Sequence, residues 1–261
     1  MSYNVENLFD DRDDGTEYRD YDPGSSNWNT ALYHAKLKNV SEAIQAAGEG
    51  GPDICVLQEV ENERVVTDLL EGYLNVLKYR HAVTAPKNGS ATTVALLSRF
   101  KPESVLVHSV QADDEVTLRP ILEVHFDIRG DGLVIFNNHW KSKSGGARET
   151  EHYRRAAAGF IRERLTSIRK EHPDFCVVIA GDLNERADEY SAVGCEYPTA
   201  LAVIGGCPAA VASRKTLTLT GSWEDAVSDA SVVFSPWLDT SHRGSYAYAG
   251  VWEQIDHFLI A

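Results

Sequence analysis

The sequence is poor in cysteine and in basic side chains, and it has no long apolar run. Four cysteines in 261 residues exclude a small scaffold held together by many disulfides. The 25 basic side chains face 39 acidic ones, and the resulting net charge of -14 argues against nucleic-acid binding driven by overall charge. No apolar segment reaches the length of a membrane span, and no signal peptide is visible. The compartment stays open, because removal of a leader would allow a secreted or periplasmic location.

The composition that is present is that of a folded globular protein. Hydrophobic residues make up 43% of the chain and charged residues 25%, which permits one large core. We find no internal repeat and no low-complexity linker, so the sequence predicts a single domain over residues 1–261.

The cysteines divide into two pairs by their surroundings. Cys55 and Cys176 lie in apolar runs that predict buried strands, where a thiol behaves as a small hydrophobe. Cys195 and Cys207 lie in a predicted loop, and both a disulfide in an exported protein and a reduced pair remain open. Their spacing does not predict a zinc site.

Hydrophobic periodicity predicts more strands than helices. Helical spacing of Leu37, Val40 and Ile44 indicates one helix, and a longer helix runs from about residue 153 to 168. Residues 185–250 have no clear period and predict long loops with one or two short helices. Strands are predicted at residues 2–9, 53–57, 73–83, 92–97, 104–110, 117–127, 133–138, 175–180 and 251–260. This order favours two packed sheets with helices outside.

An acidic segment follows the first predicted strand. Its carboxylates have no fixed spacing, which favours a solvated loop over a calcium site. They are Asp10, Asp11, Asp13, Asp14, Glu17, Asp20 and Asp22.

Polar side chains stand at the ends of four predicted strands, where packing does not require them. They are Asn4, Gln58 with Glu59, Asn138 with His139, and Asp182 with Asn184. Asp182 and Asn184 are two residues apart, so in extended geometry they reach the same bound group. A carboxylate beside a carboxamide suits attack by water with growth of negative charge on oxygen. Each feature alone also fits a turn or a hydrogen-bonded structural residue.

Taken together, seven segments resemble the endonuclease/exonuclease/phosphatase superfamily in family order. They are SYNVENLFD, DICVLQEVEN, VALLSRF, LRPILEVHF, NNHWKSKSGG, VVIAGDLNE and SYAYAGVWEQIDHFLIA. The resemblance implies an α/β fold, a four-layered α/β/β/α sandwich of two mixed β-sheets flanked by helices. It also implies hydrolysis of a phosphate ester with Mg²⁺ or Mn²⁺.

The resemblance assigns roles to the polar strand ends. Glu59 matches the principal metal ligand of the family, with Asn4 beside it in the same site. His139 matches a residue that contacts the scissile phosphate, and Asp182 an acid that orients or exchanges a proton with water or the leaving group. Asn184 matches a donor to a phosphate oxygen.

Four basic side chains near these motifs have two readings each. Arg119 either faces the phosphate or forms a structural salt bridge. Lys141 and Lys143 either add local charge beyond His139 or belong to a solvated loop, the latter being favoured. For Arg154 a solvated or ion-paired side chain is favoured over a role in the site.

At the end of the chain, Asp256 resembles the aspartate that orients the general-base histidine of the family. In the family that histidine belongs to a Ser-Asp-His motif on a later strand, and none follows here before Ala261. The resemblance therefore predicts a missing C-terminal segment, an incomplete sheet, and activity lower by a factor of about 10² to 10⁴. His257 stands where an aromatic or another polar residue would also serve.

The predicted function is divalent-metal-dependent hydrolysis of phosphate ester bonds, with DNA or RNA as the leading substrate by resemblance. The acidic composition keeps open a phosphatase or phospholipase-type hydrolase that acts on a small phosphorylated metabolite or a lipid head group. A non-catalytic remnant of the fold is the third reading. No obligate protein partner is inferred from the sequence.

Overall fold

Two mixed β-sheets pack face to face, and helices cover both outer faces. The computed structural model describes residues 1–206 and 214–261. The layer order is helix, sheet, sheet, helix, as the four-layered prediction requires, and that prediction is confirmed. Within the described residues, no helix has both the length and the apolar character needed to cross a membrane.

The smaller sheet has four strands and carries two helices on its outer face. Its first two strands are parallel, and the other pairs are antiparallel. The strands lie in the order β1 (Ser2–Leu8), β2 (Ile54–Val60), β4 (Thr93–Ser98) and β3 (His81–Thr84), under helices α1 (Thr30–Ala46) and α2 (Glu63–Tyr73). Leu37, Val40 and Ile44 of α1 are fully or almost fully buried in this outer core, as their spacing predicted.

The larger sheet has eight strands, and its outer face is covered by the long helix α3 (Glu151–Glu171). The strands lie in the order β5 (Ser104–His108), β6 (Ile121–Ile128), β7 (Asp131–His139), β8 (Cys176–Asp182), β14 (Asp256–Ile260), β11 (Val232–Phe234), β10 (Leu217–Thr220) and β9 (Leu201–Val203). The other described elements are the short helices α4 (Glu189–Ala192) and α5 (Trp223–Ser228), the hairpin of β12 (Tyr246–Tyr248) and β13 (Val251–Glu253), and 3-10 turns at Arg19–Tyr21, Asn75–Leu77 and Pro236–Asp239.

The inner faces of the sheets form a central apolar core with one polar link. Leu96 of β4 packs in the same buried cluster as Phe126 of β6. Within this interior, Gln58 Nε2 donates to Asn137 Oδ1 at 2.7 Å. Asn137 Nδ2 donates in turn to the backbone carbonyl oxygens of Leu57 and Ala95, at 3.0 and 2.8 Å. These bonds satisfy buried amides and fix the relative position of β2 and β7 near their functional ends.

The strand predicted at residues 73–83 is wrong over most of its length. A helix, α2, begins after Asn62, whose side chain accepts a hydrogen bond from Val65 N at 3.1 Å. Val65, Val66 and Leu69 are buried on its inner face, a helical pattern that the sequence analysis missed. Extended structure begins only at His81.

Other differences lie in the second half of the chain. Residues 185–250, predicted as loops, include the three short strands β9, β10 and β11, which extend the larger sheet. The single strand predicted at 251–260 is two strands, β13 and β14, that belong to different sheets. Cys55 is buried as predicted, but Cys176 is exposed, at the start of β8. Cys207 lies outside the described residues, and so does its possible pairing with Cys195.

Candidate active site

Three neighbouring strands of the larger sheet carry polar residues side by side, at the ends of the strands. His139 ends β7 and Asp182 ends β8, and the two are paired in the parallel register. Asp256 begins the antiparallel neighbour β14 and is paired with Asp182. Residues at positions 139, 182 and 256 therefore meet because of strand register alone.

The smaller sheet brings Glu59 and Asn4 to the same place. The pairing of β2 shifts register between Gln58 and Val60, and Glu59 has a φ of 62°, so its side chain leaves the regular alternation of the strand. Asn4 Nδ2 donates to Glu59 Oε1 and to Asp182 Oδ2, both at 3.0 Å. One amide thus ties the two sheets together across the candidate site.

Glu59, His139 and Asp182 form a compact group of possible metal ligands. One ligand atom from each lies within 4.8 Å of the other two. His139 Nε2 is 3.6 Å from Glu59 Oε1 and 3.9 Å from Asp182 Oδ2, too far for hydrogen bonds. The three side chains surround a common space rather than satisfying one another.

Burial and crowding of like charges shift the protonation equilibria of this group. Burial, and then the neighbouring Asp256 carboxylate, raise the pKa of Asp182 to about 7. Burial also raises the pKa of Asp256, whose Oδ1 has no hydrogen-bond partner in the described part of the chain. Burial, and then Arg119, hold the pKa of His139 well below its usual range, so its imidazole is neutral. An acid that titrates near neutrality beside a neutral imidazole is typical of a catalytic site.

Asn184 and Arg119 converge on the backbone of Trp140. Asn184 has a φ of 52°, its N–H donates to Asp182 Oδ1 at 2.8 Å, and its Nδ2 donates to Trp140 O at 3.1 Å. Arg119 Nη1 donates to the same oxygen at 3.3 Å. Among the described residues Arg119 forms no salt bridge, and its buried Nε has no partner. The salt-bridge reading of Arg119 is therefore not supported.

A cleft of about 320 Å³ opens beside His139 and Arg119. Trp140, Lys141 and Tyr153 form part of its wall. Tyr153, near the start of α3, donates its hydroxyl to Asp114 Oδ2 at 2.8 Å. The wall of the cleft contains both apolar and polar side chains. Such a wall, next to the candidate site, suits an organic group attached to a phosphate.

The remaining polar candidates lie in structural contacts. Lys143 Nζ is 2.8 Å from Glu189 Oε2, which is an ion pair rather than a solvated side chain. Arg154 is fully buried and pairs with Glu151 and Glu185, so its ion-paired reading holds and its solvated one does not. His257 Nε2 donates to the backbone oxygen of Glu185 at 2.7 Å and takes no part in the group around Asp182.

The donor set fits a hard divalent cation. Glu59 and Asp182 offer carboxylate oxygens, which Mg²⁺ and Mn²⁺ prefer, and the unpaired Asp256 Oδ1 adds negative charge beside them. Asn4 turns its amide nitrogen to both carboxylates while its Oδ1 accepts from Glu6 N at 2.9 Å. In this orientation Asn4 positions the carboxylates, and direct ligation by its oxygen would require the amide to turn over.

Sequence reasoning missed the cleft wall and the polar link between the sheets. Trp140 directly follows His139, the last residue of the largely buried strand β7. This position is the sequence signal that could have identified Trp140. Asn137 is buried and carries the Gln58 contact, which the apolar run around it concealed. Neither residue has a side-chain type that marks a site by itself.

Comparison with known proteins identifies the family. The model described as "Endonuclease/Exonuclease/phosphatase family" matches residues 1–195, about three quarters of the chain. The chain belongs to this family, whose description names endonucleases, exonucleases and phosphatases. No curated protein sequence matches the chain significantly.

Solved structures share the fold at low sequence identity. TDP2 from C. elegans is 20% identical, with a TM-score of 0.56, over 100% of this chain and 63% of that one. The human Nocturnin catalytic domain with bound sulfate anion is 17% identical, with a TM-score of 0.55, over 86% of this chain and 74% of that one. A family protein from Bacteroides thetaiotaomicron is 15% identical, with a TM-score of 0.58, over 99% of this chain and 81% of that one. The chain thus spans less than two thirds of the C. elegans protein, and these similarities show the fold alone.

Proposed function

We propose that the protein hydrolyses phosphodiester bonds with the help of Mg²⁺ or Mn²⁺, and that it acts as a nuclease or a related phosphodiesterase. The observation that carries this proposal is the meeting of Asn4, Glu59, His139 and Asp182, from four strands of two sheets, around one space. A purely structural domain would have no need to keep two carboxylates and a neutral imidazole there. The family, whose description includes endonucleases and exonucleases, supports the same chemistry.

In this proposal the carboxylate of Glu59 holds the ion, and Asn4 holds this carboxylate beside that of Asp182. When bound, the ion supplies Lewis acidity to a phosphoryl oxygen. His139 contacts the scissile phosphate as a neutral donor, since burial keeps its pKa low. Asn184 donates to a second phosphate oxygen, and Arg119 offers positive charge at the mouth of the cleft.

The proton is handled by the carboxylate pair of Asp182 and Asp256. Asp182, whose pKa burial and Asp256 raise to about 7 in the metal-free protein, accepts a proton from the attacking water or returns one to the leaving group. Burial, and then the charge of Asp256, keep that pKa high, so the protonation of one carboxyl depends on that of the other. This division of roles resembles other sites in which two acids share one proton.

A second candidate function is hydrolysis of a small phosphorylated metabolite or a lipid head group. The cleft of about 320 Å³ beside His139 favours it, because this volume suits one small organic group. The net charge of -14 favours it as well, since it disfavours long polyanions. The experiment below therefore tests this second function together with the nuclease function.

The decisive experiment measures turnover of plasmid DNA and of bis(4-nitrophenyl) phosphate, with Mn²⁺ and with EDTA. We expect EDTA to abolish both activities and Glu59→Gln to lower them by roughly 10²-fold or more, because the ion loses a charged ligand. The matched control is Glu63→Gln, which removes the same charge from the exposed first turn of α2. We expect that variant to keep full activity.

Turnover that persists in EDTA, or in Glu59→Gln, would contradict the proposal. If neither substrate is hydrolysed, the melting temperature distinguishes the remaining readings. A rise on addition of Mn²⁺ that Glu59→Ala abolishes indicates a metal site with another substrate. No rise at all supports a non-catalytic remnant of the fold.

A further inference from the structure

A second group of carboxylates lies outside the candidate active site. Asp14 and Glu17, from the acidic loop, meet Glu61, the residue that follows β2. One carboxylate oxygen from each of the three lies within 4.8 Å of the other two. Irregular spacing within the loop alone predicted a solvated loop. The third member, Glu61, comes from a distant part of the chain and lies outside that pattern.

Glu61 is the member that a solvated loop does not explain. Its side chain is fully buried, with an exposure of 0%. Its Oε2 accepts a hydrogen bond from Asp10 N at 2.7 Å, but its Oε1 is buried and has no partner among residues 1–206 and 214–261. A buried carboxylate oxygen without a partner is costly unless a cation lies beside it. This unpaired oxygen is an observation independent of the acidic composition of the loop.

The positive charges nearby do not balance the group. Lys87 Nζ is 2.8 Å from Asp14 Oδ2, and this ammonium faces three carboxylates. Arg64 is engaged elsewhere, at 3.0 Å from Asp10 Oδ2 and 2.9 Å from Asp11 Oδ1. Lys87 thus supplies one positive charge to three acidic side chains, and burial raises the pKa of Glu61 to about 7.

We propose that Asp14, Glu17 and Glu61 bind a divalent cation of the Ca²⁺ type at a site distinct from the group around Glu59. All three donors are carboxylates, and two of them belong to a loop, which suits the flexible oxygen coordination of Ca²⁺. Oxygens bound to one Ca²⁺ at about 2.3–2.6 Å lie at most about 5 Å apart, and the observed separations are within that limit. Water and loop carbonyls can supply the remaining ligands.

The position of the site gives it a structural role for the cleft. Lys87, which bridges to Asp14 and to Thr16 Oγ1, directly precedes residues 88–90, which form part of the cleft wall. Ca²⁺ between Asp14, Glu17 and Glu61 would hold the acidic loop against the end of β2 and, through Asp14, against Lys87. The proposal does not depend on the catalytic function, because its test measures binding and stability.

The test follows the melting temperature of the full chain during Ca²⁺ titration, in the Glu59→Gln background so that the candidate active site does not contribute. We expect saturating Ca²⁺ to raise the melting temperature by about 5 °C or more. Asp14→Asn, Glu17→Gln and Glu61→Gln should abolish the rise. Asp13→Asn, which removes one charge from the same loop outside the group, should retain it.

The ammonium of Lys87, which would compete with Ca²⁺ for Asp14, provides a second test of the proposal. Lys87→Met removes the ammonium beside Asp14 and should strengthen Ca²⁺ binding roughly fivefold, measured by isothermal titration calorimetry. An ion pair that is merely structural predicts no such gain. Should Glu61→Gln fail to fold, Asp14→Asn and Glu17→Gln carry the test, because the side chain of Asp14 is 43% exposed. An equal rise in those two variants, or no rise in any protein, would overturn the proposal.

Discussion

At the scale of single residues, the candidate site brings buried carboxylates close together, and their mutual repulsion opposes ionisation. Asp182 is buried beside the carboxylates of Asp256 and Glu59, and among the described residues its carboxylate accepts hydrogen bonds only from Asn4 Nδ2 and the Asn184 N–H. Such an arrangement is expected where function, and not stability, has placed the charge.

The first prediction therefore concerns Asp182→Asn in the metal-free protein. The folded-state pKa of Asp182 is about 7, above its unfolded value of about 3.9, so ionisation opposes folding and stability is lost as pH rises between these values. We expect the variant to lack this loss and to gain about 1–3 kcal/mol in the free energy of unfolding at pH 8. Urea unfolding with EDTA at pH 5 and pH 8 measures it.

The same variant should lose most of its phosphodiesterase activity, by roughly 10²-fold or more. A gain in stability together with a loss of activity separates a functional carboxylate from a structural one. If Asp182→Asn instead destabilises the metal-free protein at pH 8 as much as at pH 5, the raised pKa is not the controlling factor.

At the scale of elements, the close approach of β7 and β8 sets the position of His139 and Asp182. Gly181 has a φ of 126°, and a Cβ at this position would clash with the backbone oxygen of Asn138 on the neighbouring strand. Only glycine, which has no Cβ, tolerates both this backbone conformation and this close approach of the neighbouring strand.

We predict that Gly181→Ala costs about 3 kcal/mol or more in the free energy of unfolding, because both the backbone conformation and the space are unfavourable. The control is Gly72→Ala in α2, where an added Cβ meets nothing within 4 Å. That control should gain about 0.5–1 kcal/mol from helix propensity. Urea unfolding of both variants measures the difference, and a loss below 1 kcal/mol in Gly181→Ala would contradict the geometry.

Elements also show what the sequence could predict and what it could not. The strand ends that carry Glu59, His139 and Asp182 stand out because polar residues follow buried apolar runs. The strands β9, β10 and β11 have only three or four residues each, too few for periodicity to distinguish them from loops. The carboxylate group of Asp14 and Glu61 was missed because its members come from separate segments that only the tertiary structure brings together.

At the scale of the whole molecule, the net charge of -14 bears on the choice of substrate. A protein of this charge repels DNA at distances up to the Debye length, about 30 Å at 0.01 M salt and 10 Å at 0.1 M. Lys141 and Arg119 line the cleft, but they are few beside the acidic excess. Approach of a polyanion should therefore be limited by repulsion rather than assisted by attraction.

We accordingly predict that kcat/KM for plasmid DNA rises as KCl increases from 10 to 100 mM at fixed Mn²⁺, because salt screens the repulsion. A nuclease that binds through many phosphate contacts would show a steep fall instead. Hydrolysis of bis(4-nitrophenyl) phosphate serves as the control and should change by less than about twofold, since a single charge gains little from screening. A steep fall for DNA alone would mean that a local basic surface, and not the net charge, governs binding of the polyanion.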